Sequence, residues 1–388
     1  MSDGSTNPPT PPPSTLGTGP EQCIDGRAGD FPCSGISLAA RVAPETMGGE
    51  GAAGNDLWGW TDPQTSREYA LMGLSNGTAF VDVTDPVDPV FLGRLPTHTA
   101  DSLWRDIKVY RDHAYVVADG AGEHGMQVFD LRRLRGVAGP QTWAADVLYG
   151  DFGHAHNLAV DEASGFAYAV STDTCAGGLH IVNLATPNNP LFAGCHNVTR
   201  THDTQCVVYE GPDTAHRGRQ ICVSSNEDRV EVVDVTEKSA PLSLSSVTYP
   251  QLRYAHQGWL TEDHRFFLLG DELDEIELSL TTRTHVFDVS DLDAPQYLYA
   301  HDLGTPATDH NLYVLGDRVF EANYASGLRV LRFGDLASRD LAEIAFFDTF
   351  PDTDGPGTEA AWSVYPYLPS GTILVSDIAG GLFVLTMP

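Results

Sequence analysis

"GTAFVDV" (77–83) is a short strand that the chain writes seven times. The other copies are "GMQVFDL" (125–131), "GLHIVNL" (178–184), "RVEVVDV" (229–235), "RTHVFDV" (283–289), "GLRVLRF" (327–333) and "GLFVLTM" (381–387). Each alternates little and stays apolar, as a strand covered on both faces does. The copies recur about every 51 residues between Gly77 and Gly381, a spacing typical of blade-like repeats. Two strands precede each copy, as in "IKVYRDHAYVVAD" (107–119), "NLAVDEASGFAYAVS" (157–171) and "LYVLGDRVFEANY" (312–324). Several are followed by a proline turn, "TDPVDP" (84–89), "ATPNNP" (185–190) or "SDLDAP" (290–295), and a further strand. β-branched and aromatic residues dominate, and no long segment has a helical period. Four strands in each of seven repeats predict an all-β chain, a seven-bladed β-propeller.

The two ends account for each other. The last repeat supplies "AWSVYPYL" (361–368), "GTILVSD" (371–377) and "GLFVLTM", which is only three strands. "GISLAARVAP" (35–44) reads as a strand that lies ahead of the first full repeat. As the outer strand of the last blade it would close the ring and cover a sheet edge. The expected organisation is a Ser/Pro/Thr-rich tether with a small disulfide loop over residues 1–34, then the propeller over 35–388.

Composition narrows the partners. The 388 residues carry a formal charge of −31, and only Lys108 and Lys238 are lysines among the 22 basic residues. No basic face exists to neutralise phosphates, so nucleic acid is excluded as a partner. No run approaches the ~18 apolar residues of a membrane helix. The six cysteines form no Cys-x-x-Cys pair, which argues against a zinc ribbon or a thioredoxin-like motif. Their even number and loop-like positions point to disulfides and an extracytoplasmic location. Cys206 and Cys222 fall on antiparallel neighbours of one blade, Cys175 and Cys195 near one edge of another, and Cys23 and Cys33 around a small loop. These three pairs are the expected bridges.

Longer motifs resemble a known family. "DLWGW" (56–60), "WRDIKVY" (104–110), "HAHNLAV" (154–160), "THDTQCVVYEGPD" (201–213), "HQGWLTEDHRFFLLGDELDE" (256–275), "DHNLYV" (309–314), "NYASGLRVL" (323–331) and "WSVYPYLPSGTILVSD" (362–377) are similar to the choice-of-anchor B family of LVIVD-repeat proteins. The resemblance runs from about residue 35 to the end. It implies a secreted or surface-displayed β-propeller and no particular chemistry. An anchor would belong at the N-terminus, where the Ser/Pro tether resembles the stretch after a lipoprotein cysteine.

The candidate site comes from aligning the first strand of each repeat. Four positions before its apolar anchor stand Asp56, Arg105, His156, Thr204, His256, His310 and Ala360. One position later stand Leu57, Asp106, Asn157, Gln205, Gln257, Asn311 and Ala361. First strands line the central channel, so these columns become rings around the axis. His154 and His202 fall two positions upstream of the ring, with Asp203 and Asp309 nearby, and could form a second layer above it. Imidazoles with a carboxylate suit Zn²⁺, Mn²⁺, Fe²⁺ or Cu²⁺. His156, His202, His256 and His310, assisted by Asp56, are the candidate metal ligands. Asn157, Gln257 and Asn311 would orient the imidazoles, while Arg105, Asp106 and Asp203 would contact a bound ligand. Two other readings stay open: a wet channel lined by polar side chains, or an organic or anionic ligand gripped by Arg105 and the histidines.

Weaker signals are acidic loops that could take Ca²⁺: "DTDGPGTE" (352–359), "DGAGEHG" (119–125) and "GDELDE" (270–275), the last two expected on the face away from the histidines. Trp58, Trp60, Trp104, Trp259 and Trp362 are expected to pack between blades. No nucleophile elbow, phosphate loop or dinucleotide fingerprint is present. Two functions remain. One is a binding protein that presents a metal, or a rigid surface for a protein, glycan or small molecule. The other is a metal-dependent hydrolase or oxidoreductase built on the same histidines, with a spare histidine or Asp203 as general base.

Overall fold

The computed structural model describes residues 19–388, so most of the expected 1–34 tether lies outside the described residues. Seven sheets, each built on four antiparallel strands, follow one another along the chain, and Gln141–Thr142 adds a parallel fifth strand to the first. Their innermost strands are Gly54–Thr61, Trp104–Tyr110, Asn157–Asp161, Asp203–Val208, Ala255–Leu260, Asn311–Leu315 and Ala361–Tyr365, for blades 1 to 7 in order. Each packs beside the next, and that of blade 7 beside that of blade 1. The ring is closed: the fold is the seven-bladed β-propeller that the repeats predict.

The recurring strand is the third of each blade, and its apolar residues pack on both faces. Phe80, Phe129 and Ile107 meet between blades 1 and 2, and Val232, Phe267 and Phe287 between blades 4 and 5. The core is therefore a set of inter-blade layers rather than one central mass. The recurring Asp or Asn has a local role. Asp82, Asp130, Asn183, Asp234 and Asp288 each accept the backbone N–H two residues on. That bond turns the chain out of the strand.

Closure follows the sequence reading. Ser37–Val42 is the outer strand of blade 7, with Leu38 opposite Leu385 and Val42 opposite Leu382. The three expected disulfides are present, and Cys206 sits directly opposite Cys222. The Cys23–Cys33 loop, read from sequence as part of the tether, lies instead against the propeller. Its strand Phe31–Ser34 extends blade 6, with Cys33 opposite Phe347, and Phe31 packs on Phe347 and Phe383. No helix among the described residues is long and apolar enough to cross a membrane.

Candidate functional site

All innermost strands run the same way along the axis, so their first residues surround one mouth of the channel and their last residues the other. A cavity of about 440 Å³ opens at the first mouth and one of about 460 Å³ at the second.

At the first mouth His156, His202, His256 and His310 stand on consecutive blades, 3 to 6. Their ring centres are 4.5, 4.3 and 4.5 Å apart in that order. Gly54, Trp104 and Trp362 line the mouth from blades 1, 2 and 7, so the histidines form an arc rather than a full ring. Each imidazole is fixed through Nδ1. His202 donates to the carbonyl of His256 at 3.1 Å, His256 to that of His310 at 3.2 Å, and His310 to that of Trp362. His156 donates to the Asp119 carboxylate at 3.1 Å. Carbonyl and carboxylate oxygens only accept, so every Nδ1 holds the proton and every Nε2 offers a lone pair when the ring is neutral. Burial favours the neutral ring at His202, His256 and His310. It pushes His202 and His310 well below the ordinary histidine range, helped by the neighbouring imidazoles. His256 also falls by burial, with the Glu272 carboxylate opposing.

Glu272 completes the site. One carboxylate oxygen lies 3.6 Å from His256 Nε2 and the other 4.0 Å from His310 Nε2. The Tyr324 hydroxyl donates to the latter oxygen at 2.8 Å. The three ligand atoms lie within 4.8 Å of one another. Two imidazole nitrogens and a carboxylate, each imidazole held by a hydrogen bond from its other nitrogen, match the way proteins present a divalent transition metal.

Several expectations change. His202 belongs in the arc and not above it. Its N–H bonds to the Ser225 carbonyl as that of His156 bonds to Val170, which marks the two as equivalent positions. The apolar anchor four residues after His202 is Cys206, a buried half-cystine that does not read as a valine. The loops after second strands lie on the histidine face, not away from it. In an antiparallel pair the second strand ends where the first begins, as Ala255 opposite Asp271 and Trp104 opposite Asp119 show. That register is the signal that would have found Glu272 and Asp119 from sequence.

Asp56 does not join the histidines. A bulge between Gly54 and Leu57 leaves Gly54 at the mouth, and the Asp56 carboxylate meets Lys108 at 3.3 Å. Arg105 does not face the channel. It is buried between blades, donating to the Leu74 carbonyl and touching His124. Asn157 donates to the His202 carbonyl, Asp106 accepts from Leu158 N–H, and Gln257 accepts from Leu312 N–H. These side chains tie one innermost strand to the next, and backbone carbonyls orient three of the imidazoles, Asp119 the fourth. Asn311 is buried opposite Ala322. Asp203 lines the second cavity. Of the five tryptophans singled out, Trp60 is buried between blades 1 and 2, Trp58 and Trp259 pack against inter-blade clusters and also line the second mouth, and Trp104 and Trp362 line the first. Among the described residues the carboxylates of 352–359 join no ligand cluster.

The second mouth is organised around Lys108. Its ammonium contacts Asp106 at 2.5 Å and Asp56 at 3.3 Å, and lies 4.6 Å above the Trp58 ring. Burial works against this charge, but the two carboxylates hold Lys108 well above its ordinary value. Asp203, pushed up chiefly by burial and opposed by Lys108, titrates at about 7. Tyr313, Tyr365, Tyr367 and Trp259 supply apolar walls.

No protein-family model and no curated protein matches the chain. Among solved structures it is similar to a protein from Lactobacillus plantarum at 15% identity, covering 84% of this chain and 89% of that one, with a TM-score of 0.54. A periplasmic gluconolactonase from Pseudomonas aeruginosa aligns at 12% identity over 85% and 88%, with a TM-score of 0.54. The Cps50 (Swd1) β-propeller domain of Myceliophteria thermophila aligns at 10% identity over 86% and 98%, with a TM-score of 0.53. What these likenesses establish is the β-propeller fold.

Proposed function

We propose that the chain is an extracytoplasmic binding protein that holds a divalent metal at the histidine mouth, through His256, His310 and Glu272. The carrying observation is the fixed tautomer: Nδ1 of each histidine is committed to an acceptor and Nε2 is left as a lone pair beside a carboxylate. Zn²⁺, Mn²⁺, Fe²⁺ and Cu²⁺ are the ions such a donor set takes. His202 and His156 extend the arc and would bind a second face of the ion's ligand sphere or its cargo. Three disulfides support an oxidising compartment. Membership of the choice-of-anchor B family of LVIVD-repeat proteins, with display at the cell surface through an N-terminal lipid anchor, is part of the same reading. A protein, glycan or small molecule would dock over the mouth.

The test is metal content after dialysis against each ion, together with melting in the presence and absence of chelator. A bound ion raises the melting temperature as its free concentration exceeds the dissociation constant, and the gain shrinks as acid protonates the imidazoles. His256→Ala, His310→Ala and Glu272→Gln should each lose the metal. A wild type that ignores all four ions and melts identically in chelator sinks the proposal and leaves a wet, polar channel.

One observation favours an enzyme as a second reading. Three protein ligands leave coordination positions facing a cavity of about 440 Å³, which is how catalytic metal sites differ from closed structural ones. An ion there would activate water or polarise a substrate. A hydrolase and oxidase panel on metal-loaded protein separates the two readings, because only the enzyme turns over.

A further inference from the structure

Behind the histidine mouth lies a second group of ionisable residues that the first site does not use. Asp274 and Glu275 open the short helical turn Asp274–Leu278 that follows the second strand of blade 5. Asp309 stands just before the innermost strand of blade 6. The three are 0%, 1% and 4% exposed, and one carboxylate oxygen from each lies within 4.8 Å of the others. Both oxygens of Glu275, both of Asp309 and Oδ1 of Asp274 have no hydrogen-bond partner among the described residues. Burying even one such carboxylate without a partner is costly. The one guanidinium present, Arg283, reaches only Oδ2 of Asp274 among these carboxylates, and its other donor goes to Gln251.

A separate side chain points into the same cluster. His285, on the third strand of blade 5, is wholly buried, and its Nε2 is unpartnered 3.8 Å from Asp274 Oδ2. Its Nδ1 faces the Tyr297 hydroxyl at 3.4 Å. The backbone also makes room: a Cβ at Gly270 would stand 2.4 Å from Asp309 Oδ1. Only a glycine lets that carboxylate reach the cluster.

We propose that Asp274, Glu275 and Asp309 form a buried Ca²⁺ site that pins the helical turn of blade 5 to the start of blade 6. Ligands on opposite sides of Ca²⁺ stand about 4.8 Å apart, and the observed oxygens fall inside that span. Three carboxylates against one guanidinium leave two negative charges, which one Ca²⁺ neutralises. All-oxygen donors select a hard cation over the transition metals that suit the histidine mouth. The unfilled positions of its 6–8 ligand shell fall to the remaining carboxylate oxygens and water. Without a cation, burial pushes the Glu275 carboxyl up to about 9, so protons are the competing occupant. The site is independent of the metal proposed at the mouth.

The experiment uses the full chain with His256→Asn and His310→Asn, which removes the mouth's two imidazole ligands. After chelation and desalting, melting is followed against CaCl₂, MgCl₂ and MnCl₂, and bound calcium is counted per chain. The expected result is one Ca²⁺ per chain and a melting temperature that climbs with each decade of free Ca²⁺, with Mg²⁺ weaker. Adding Glu275→Gln and Asp309→Asn should abolish the climb. Those amides keep the shape and remove the charge. If Ca²⁺ gives no shift, or only Mn²⁺ does, the proposal is overturned. A shift that survives both amide substitutions overturns it too, because the ion is then held by the acidic surface. Should the amide variant fail to fold, the wild-type calcium count and melting series decide by themselves.

Discussion

The two mouths of the channel are made from the same seven strands and have cavities of nearly equal size, yet their polar groups are arranged oppositely. At the second mouth a cation is supplied: Lys108 meets Asp106 and Asp56, Asp106 also receives the Leu158 N–H, and burial pushes Asp56 well above the ordinary carboxylate range, towards its neutral form. At the first mouth each imidazole is anchored by one nitrogen and left open at the other. A buried ion pair with its hydrogen bonds made is a structural element that can work alone. A row of oriented lone pairs beside a carboxylate is half of an interaction. Cavity size therefore says little about which mouth binds; the state of the donors and acceptors says more.

Both mouths depend on closure, so opening the ring erases the difference between them. Deleting residues 1–45 removes Ser37–Val42, whose Ala39, Ala40 and Val42 are buried between blades 7 and 1. That deletion should abolish cooperative unfolding. Deleting only 1–18 should leave the melting curve unchanged. It spares Glu21, which exchanges backbone hydrogen bonds with Leu38. Calorimetry of both truncations checks this, and a normal melt for the longer one would refute the latch.

Next in size is the charge at the second mouth. Lys108→Met keeps the length of the side chain but strands Asp56 and Asp106 without a cation. Breaking a buried pair from one side costs about 3–5 kcal/mol. Adding Asp106→Asn should recover much of the loss, since its amide oxygen still accepts the Leu158 N–H. Denaturant melts of the single and double variants measure it. A Lys108→Met protein as stable as wild type would mean the triad carries no net charge to strand.

The mouths should also respond to pH with opposite signs. Asp203 titrates at about 7 in the fold against ~3.9 unfolded. The native state holds a proton that the unfolded chain releases, so this contribution is complete below pH ~4 and is lost as pH rises through 7. His202, His256 and His310 at the first mouth run the other way. Their values are lowered by burial, so their contribution is complete above ~6.5 and is lost as pH falls. Asp203→Asn should remove the loss of stability that ionisation of Asp203 causes as pH rises from ~4 to ~7, roughly 1–3 kcal/mol, leaving only the histidine contribution over that range. Stability measured from pH 4.5 to 8.5 tests this; a profile below pH ~7 that is unchanged in the variant removes Asp203 from this role.

The blades, the latch, the three disulfides and three of the four arc histidines were readable from the chain, because each is written in a local period or a strand register. What escaped depends on contacts across the ring. His202 was displaced because Cys206 packs as an apolar anchor without looking like one. Asp56 was drawn into the site because a bulge has no sequence mark in a single chain. Arg105 was misassigned because alternation decides channel against blade, and one residue of slip reverses it. Glu272 was missed by a topological slip, since the loop after a second strand sits beside the start of the first. Asn157 and Gln257 stand on innermost strands, but their partners are backbone groups of the next blade, and no spacing rule reveals those.

The smallest expected effect is the most discriminating. If the arc's histidines are present for a ligand, removing only their open nitrogens should hardly affect the apo fold. His256→Asn with His310→Asn does this, because the asparagine amide can donate to the same His310 and Trp362 carbonyls that the imidazole Nδ1 reaches. The lost ring atoms border an existing cavity, so no sealed void is created. In chelator the double variant should melt within about 1 kcal/mol of wild type, the scale of one ordinary hydrogen bond. In Zn²⁺ or Mn²⁺ the wild type should gain stability and the variant should not. Comparing Lys108→Met with this variant then tests the contrast directly: a large loss without ligand at one mouth, almost none at the other. A variant that loses several kcal/mol in chelator would make the arc another structural tie, alike in kind to the lysine mouth.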